Sequence, residues 1–213
     1  MSESDIHAVI FDCDGTLVDS EKLSLAVLVD YVGELGLPLE LDEALRRFAG
    51  GELPKVFAEL ETRLGRPLPA DHMDQFRSRQ LARLATDLEV IDGAAELLGA
   101  MTKPFCVASN APLMKVNLCL KTTGLDRFFA DHHRLSAYQI EKWKPEPDLF
   151  LKSASVLQTK PENCAVVEDT DYGIDAGLRA GMRVFGYDPD GELNRRPDVE
   201  YVCDLRELNI VFA

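Results

Sequence analysis

Residues 9–19 read VIFDCDGTLVD. An apolar run stops, and Asp12, Asp14 and Asp19 follow, with Gly15 and Thr16 between the second and third acids. A short, continuously apolar run suits a strand covered on both faces of a sheet. Side chains two positions apart on a strand share a face, and the start of a loop turns them toward one pocket. The stretch therefore reads as a buried strand that delivers paired carboxylates to the end of a sheet.

Three further runs have the same character: FCVASN (105–110), CAVVED (164–169) and RVFGY (183–187), beside AVIFD (8–12). YVCDL (201–205) is a weaker fifth. Helical patterns lie between them at 93–101, 112–124, 147–158 and 171–181, with Gly124 and Gly181 as stops. Strand alternating with helix predicts an α/β fold, a Rossmann-like open parallel sheet with right-handed crossovers.

Residues 20–88 depart from that alternation. EKLSLAVLVDYVGELG (21–36), 42–50, 54–65 and 70–86 all read as helices, with Gly36, Gly50, Gly51, Gly65, Pro67 and Pro69 between them. The expected organisation is a core of residues 1–19 and 89–213, interrupted after its first strand by a helical insert of residues 20–88.

The 213 residues carry a formal charge of −14. That balance disfavours nucleic acid and anionic membrane surfaces as partners, because phosphate would be repelled. It leaves open a small anionic substrate, which needs only local positive charge. There is no apolar run long enough for a transmembrane helix and no signal-peptide pattern at the N-terminus. The five cysteines form no CxxC pair, so reduced buried thiols and a cytoplasmic location are expected.

In an open α/β sheet, ligands bind beyond the carboxyl ends of the strands. The residues there are Asp12 and Asp14, Ser109 and Asn110, and Glu168 and Asp169, with Lys144 in KWKP before a helix. Four acids cannot all be ionised in one place without a cation, and oxygen-only ligands select a hard one, Mg²⁺ where a phosphate is also bound. Lys144 then offsets a substrate phosphate, and Ser109 or the loop amides around Gly15 donate to it. Asp12 can attack phosphorus as a carboxylate nucleophile, and Asp14 can supply and remove the proton.

Bland alternatives accompany these roles. Ser109 and Asn110 suit a helix cap. Glu168 and Asp169 also suit capping of the next helix, for which Asp171 is the better candidate. Asp19, Ser20 and Glu21 suit the start of the first inserted helix, and Cys13 suits packing. His72, His132 and His133 lack a metal-ligand pattern. Tyr138 and Trp143 either line a pocket mouth or lie on the surface. Arg46, Arg47 and Lys55 are the insert's candidates for an anionic substrate.

DCDGT (12–16), Ser109–Asn110, Lys144 in KWKPEP, and Glu168–Asp169 in VVEDTDYGIDAG stand in the order and spacing of the four motifs of the haloacid dehalogenase superfamily, which the chain resembles over almost its whole length. The resemblance implies that Asp12 is the nucleophile and a Mg²⁺ ligand. Asp14 would be the general acid/base and bind the metal through its backbone carbonyl. Asp169 would be a direct ligand, and Glu168 a direct or water-mediated one. Ser109, Asn110 and Lys144 would hold the phosphoryl group, and residues 20–88 would be the α-helical cap. Asp14 favours phosphoryl transfer over dehalogenation. The subgroup resembled is that of β-phosphoglucomutases and sugar-phosphate phosphatases. This implies a phosphomonoesterase of small phosphorylated metabolites, a monomer or small homo-oligomer. A phosphomutase and a non-catalytic phospholigand-binding relative are the alternatives. In FAGGELPKV (48–56), Glu52, Leu53 and Pro54 stand where mutase-like relatives carry a basic residue, which weakens the mutase alternative.

Overall fold

The computed structural model describes residues 6–49 and 53–212, so the glycine turn at 50–51 and Glu52 lie outside it. The chain forms two compact units, residues 1–18 with 89–213, and residues 19–88.

The larger unit is built on a six-stranded sheet. Its strands are β1 (Ala8–Phe11), β2 (Phe105–Ser109), β3 (Arg134–Ser136), β4 (Cys164–Glu168), β5 (Arg183–Tyr187) and β6 (Val199–Val202), in spatial order β3-β2-β1-β4-β5-β6. Every pairing is parallel. β1 and β4 are buried along their whole length, which is why they read as unbroken apolar runs. The order reverses at β1: the chain runs outward through β2 and β3, then returns to the other side of β1 with β4. That reversal opens the crevice where such sheets bind ligands.

Helices α5 (Ala94–Ala100), α6 (Leu113–Thr122), α7 (Asp148–Val156), α8 (Asp171–Arg179) and α9 (Asn209–Phe212) belong to this unit, and α1 to α4 to residues 19–88. Strand alternation divides its core. Ala8 and Ile10 join Cys106, Ala108, Val166 and Val184 in one cluster with Leu149, Phe150 and Ile174. On the other side, Phe11 meets Phe105 and Phe212 edge to face, and Phe212 also meets Phe185. Ring pairs of this geometry add about 0.5–1.5 kcal/mol each beyond their burial.

The helical unit contains α1 (Ser20–Glu34), α2 (Leu41–Phe48), α3 (Leu53–Leu64) and α4 (His72–Asp87). It has a core of its own around Leu28, Tyr31, Val32, Phe57, Leu60 and Phe76. The larger unit is left at Val18 and rejoined near Val90. These two residues form an antiparallel bridge, and Ile91 N–H donates to Leu17 O at 3.0 Å. A pinned exit and re-entry let the helices form one inserted body without disturbing the sheet.

The structure adds elements that the sequence patterns do not announce. β3 has only three residues, and β6 begins two residues before the expected run. Among the described residues no helix is long and apolar enough to cross a membrane. Cys13, Cys106, Cys119 and Cys164 are buried free thiols, whereas Cys203 is exposed.

Candidate active site

Asp12 follows β1 at the reversal of strand order, and its N–H donates to Val167 O at 3.0 Å. The next residues fold back tightly: Leu17 and Val18 N–H both donate to Cys13 O, at 3.0 and 3.1 Å. Gly15 turns the loop with φ +86°, a conformation that side chains resist. A Cβ there would also fall inside the Asp169 carboxyl group. The glycine thus lets the β1 loop and the β4 end share one small volume. Thr16, fully buried, donates its hydroxyl to Asp169 Oδ1 at 2.8 Å.

Lys144 completes the centre. Its Nζ pairs with Asp12 Oδ1 and lies 2.5 Å from Glu168 Oε1, with the Phe150 ring 4.9 Å beneath it. All three charged groups are buried. Burial opposes the ammonium charge, but Asp12 and Glu168 outweigh it and hold the Lys144 proton more tightly than usual. Burial dominates at Asp12: despite Lys144, and helped by the charges of Glu168 and Asp14, it pushes the carboxyl up to about 7. Burial, then Glu168 and Asp12, push Asp169 well above the ordinary carboxylate range.

Asn110 serves Lys144. Its Oδ1 accepts from Lys144 N–H at 2.9 Å, and its Nδ2 donates to Lys144 O at 3.3 Å. The amide grips the backbone from both sides and sets where the side chain starts. Ser109 is neither exposed nor a helix cap. Its Oγ accepts from Ala111 N–H at 3.0 Å and lies 3.4 Å from Asp14 Oδ2. The residue before α6 is Pro112.

Asp14 points elsewhere than Asp12. Its Oδ1 is 2.7 Å from Lys115 Nζ, a lysine in the first turn of α6. Lys115 is a site residue that the sequence reading passed over. Nothing in PLMKVNLCLK distinguishes it from a solvated helix charge, because only the packing of α6 beside the β1 loop brings it to Asp14.

Glu168 is held by Lys144 on Oε1. Its Oε2 accepts from Asp169 N–H, Thr170 N–H and Thr170 Oγ1, at 3.1, 3.1 and 2.8 Å. The helix cap expected of Asp171 is supplied by Thr170, whose hydroxyl accepts from Gly173 N–H at 3.1 Å. A Cβ at Gly173 would overlap the Glu168 carboxyl. Tyr138 and Trp143 are half-exposed and meet edge to face at 5.5 Å.

The donors present suit a small hard cation. Among the described residues no three His, Cys, Asp or Glu side chains stand close enough to enclose a metal by themselves. The partners above explain this: the Asp14 carboxylate is turned to Lys115, and Glu168 is saturated by protein donors. Asp12 and Asp169 remain, two carboxyls that burial, and after it the charge of Glu168, push up. Asp12, Asp14, Glu168 and Asp169 outnumber Lys115 and Lys144, and a divalent ion would let the two raised carboxyls, Asp12 and Asp169, ionise. Mg²⁺ binds through one or two carboxylates, keeps several waters and takes the rest of its shell from phosphate. Asp12 and Asp169 fit it as side-chain ligands, and Glu168 fits an indirect role.

The family model for haloacid dehalogenase-like hydrolases matches residues 6–181. The chain is 36% identical over 208 residues to the 6-phosphogluconate phosphatase of Escherichia coli K12, covering 96% of this chain and 94% of that one. A haloacid dehalogenase-like protein of Agrobacterium tumefaciens C58 superposes with a TM-score of 0.84 at 31% identity, over 97% of both chains. A family hydrolase of Deinococcus radiodurans R1, solved with phosphate and sodium, superposes at 0.81 with 29% identity, over 98% of both. The chain belongs to the haloacid dehalogenase-like hydrolases, and among them it is a phosphatase.

Proposed function

We propose that the chain is a Mg²⁺-dependent phosphomonoesterase of small phosphorylated sugars or sugar acids, 6-phosphogluconate among them, working through an aspartyl-phosphate on Asp12. The observation that carries this reading is that two acids two residues apart are tethered by different lysines, Asp12 by Lys144 and Asp14 by Lys115. Separate tethers suit separate tasks.

An Asp12 oxygen attacks phosphorus, the ester P–O bond breaks, and the leaving oxygen takes a proton from Asp14. Water then attacks the same phosphorus and gives a proton to Asp14. The bond to Asp12 breaks and inorganic phosphate leaves. Ser109 and Lys144 hold the phosphoryl oxygens, and Asn110 acts by fixing Lys144. Asp12, Asp169 and the Asp14 carbonyl would hold Mg²⁺, which when bound would neutralise charge on those oxygens. The helical unit is assigned the role of cap domain, for which its insertion after β1 and its separate core speak. The substrate class rests on the likeness to 6-phosphogluconate phosphatase. A cytoplasmic enzyme fits its free cysteines.

The test is phosphate release from 6-phosphogluconate, hexose phosphates, phosphoglycolate and a nucleotide, with Mg²⁺ or with EDTA. Release from one or two compounds, lost in EDTA, is expected. Release unchanged by EDTA would remove the metal from the reading. Conversion of β-glucose 1-phosphate to its 6-phosphate without release would replace the phosphatase with a mutase.

A further inference from the structure

Ser109 and Lys115 lie on one strand–loop–helix unit, β2 and the first turn of α6. The loop between them is pinned twice. Ala111 N–H donates to Ser109 Oγ at 3.0 Å, and Ser136 Oγ, from the end of β3, donates to Ala111 O at 2.6 Å. Lys115 N–H closes the helix start on Pro112 O at 2.9 Å. The lysine therefore grows from a fixed base. Its side chain is 16% exposed, so its ammonium has little freedom to leave Asp14 for water.

That contact divides the two oxygens of Asp14. Oδ1 is tethered to Lys115 at 2.7 Å, while Oδ2 faces Ser109 Oγ at 3.4 Å. Ser109 is the residue assigned to the phosphoryl group. A general acid works only within hydrogen-bond reach of the atom it protonates, about 2.6–3.2 Å. A carboxyl group free to rotate about its terminal bond would spend much of its time misaligned.

We propose that Lys115 is the positioning residue for Asp14, holding one carboxyl oxygen so that the other faces the ester oxygen of the phosphoryl group at Ser109. The inference rests on the phosphatase reading above. The proton concerned passes from Asp14 to the leaving oxygen as the ester P–O bond breaks and the bond to Asp12 forms. Lys115 gives up no proton. A purely structural lysine would matter equally for every substrate. A lysine that aligns the acid matters only when the leaving oxygen needs a proton.

The experiment compares kcat/KM for 6-phosphogluconate, whose alkoxide leaves poorly, with that for p-nitrophenyl phosphate, whose phenolate leaves unaided. Lys115→Met should lower the first by about 10²-fold and the second by less than about tenfold. Lys115→Arg should recover part of the loss on 6-phosphogluconate alone. Equal losses on both substrates, or no loss on either, would overturn the proposal. Thermal melts accompany each variant, and Lys115→Gln takes over the comparison if the Met variant does not fold. Wild-type protein that releases phosphate from neither compound would refute the phosphatase reading itself, and this inference with it.

Discussion

Two ion pairs show how differently the chain uses charge. In the sheet unit, Lys144 and Asp12 are 3% and 9% exposed, packed over Phe150 and shared with Glu168. In the helical unit, Arg79 and Glu34 are 40% and 60% exposed and form a bidentate pair at 2.7 and 2.8 Å. The second geometry is the better-formed hydrogen-bond fork, yet water competes for both partners and the pair adds little. The first has been taken out of water at considerable cost, and neither partner tolerates loss of the other. Burial rather than geometry makes the sheet unit's charges reactive. It raises the Asp12 carboxyl to about 7, while Lys144, whose charge burial opposes, keeps its proton through Asp12 and Glu168.

Substitutions separate the two pairs by the size of their effects. Asp12→Asn should have the largest effect, a loss of phosphate release by more than about 10³-fold while 6-phosphogluconate still binds in calorimetry. Retained turnover would show that the buried pair is structural only. Lys144→Met leaves two buried carboxylates without their cation and should cost about 3–5 kcal/mol in urea unfolding. A cost no larger than that of a surface pair would mean that burial adds nothing to the Lys144 pairs.

Leu60→Ala tests the helical unit where its stability resides, in its apolar cluster. Leu60 is fully buried, so the loss should be about 2–5 kcal/mol in the same measurement. Thr16→Val keeps the shape but removes the donor to Asp169, and should cost about 1.5–3 kcal/mol. It should also raise the Mg²⁺ concentration needed for half-maximal phosphate release. The smallest change is expected from Glu34→Gln: a slight fall in melting temperature that disappears in high salt. A large, salt-independent fall would put the exposed pair in the same class as the buried one.

The candidate residues were legible in the sequence because they obey a rule of place. Ligands collect beyond the carboxyl ends of strands, and strands buried on both faces are the easiest to read. Asp12, Ser109 and Glu168 each close such a run. The same logic failed where burial was incomplete. β3 is three residues long and starts with Arg134, so it presents no apolar run. β6 is an edge strand whose apolar run is broken by the exposed Glu200, and it starts two residues before the expected run. α9 is a single turn, yet its Phe212 closes one face of the sheet beside Phe11 and Phe185.

The order of apolar runs, glycines and acids determined the α/β class, the helical insertion after the first strand and the place of the candidate acids at strand ends, since these depend on local periodicity and on what a strand end must carry. Only the tertiary structure decided which charge answers which. Lys115 belongs to Asp14, Lys144 to Asp12 and Glu168, Thr16 to Asp169, and Asn110 to the backbone of Lys144. Such pairings join residues far apart in the chain, and their strength comes from a low-dielectric interior that exists only once the sheet and its helices have closed around them.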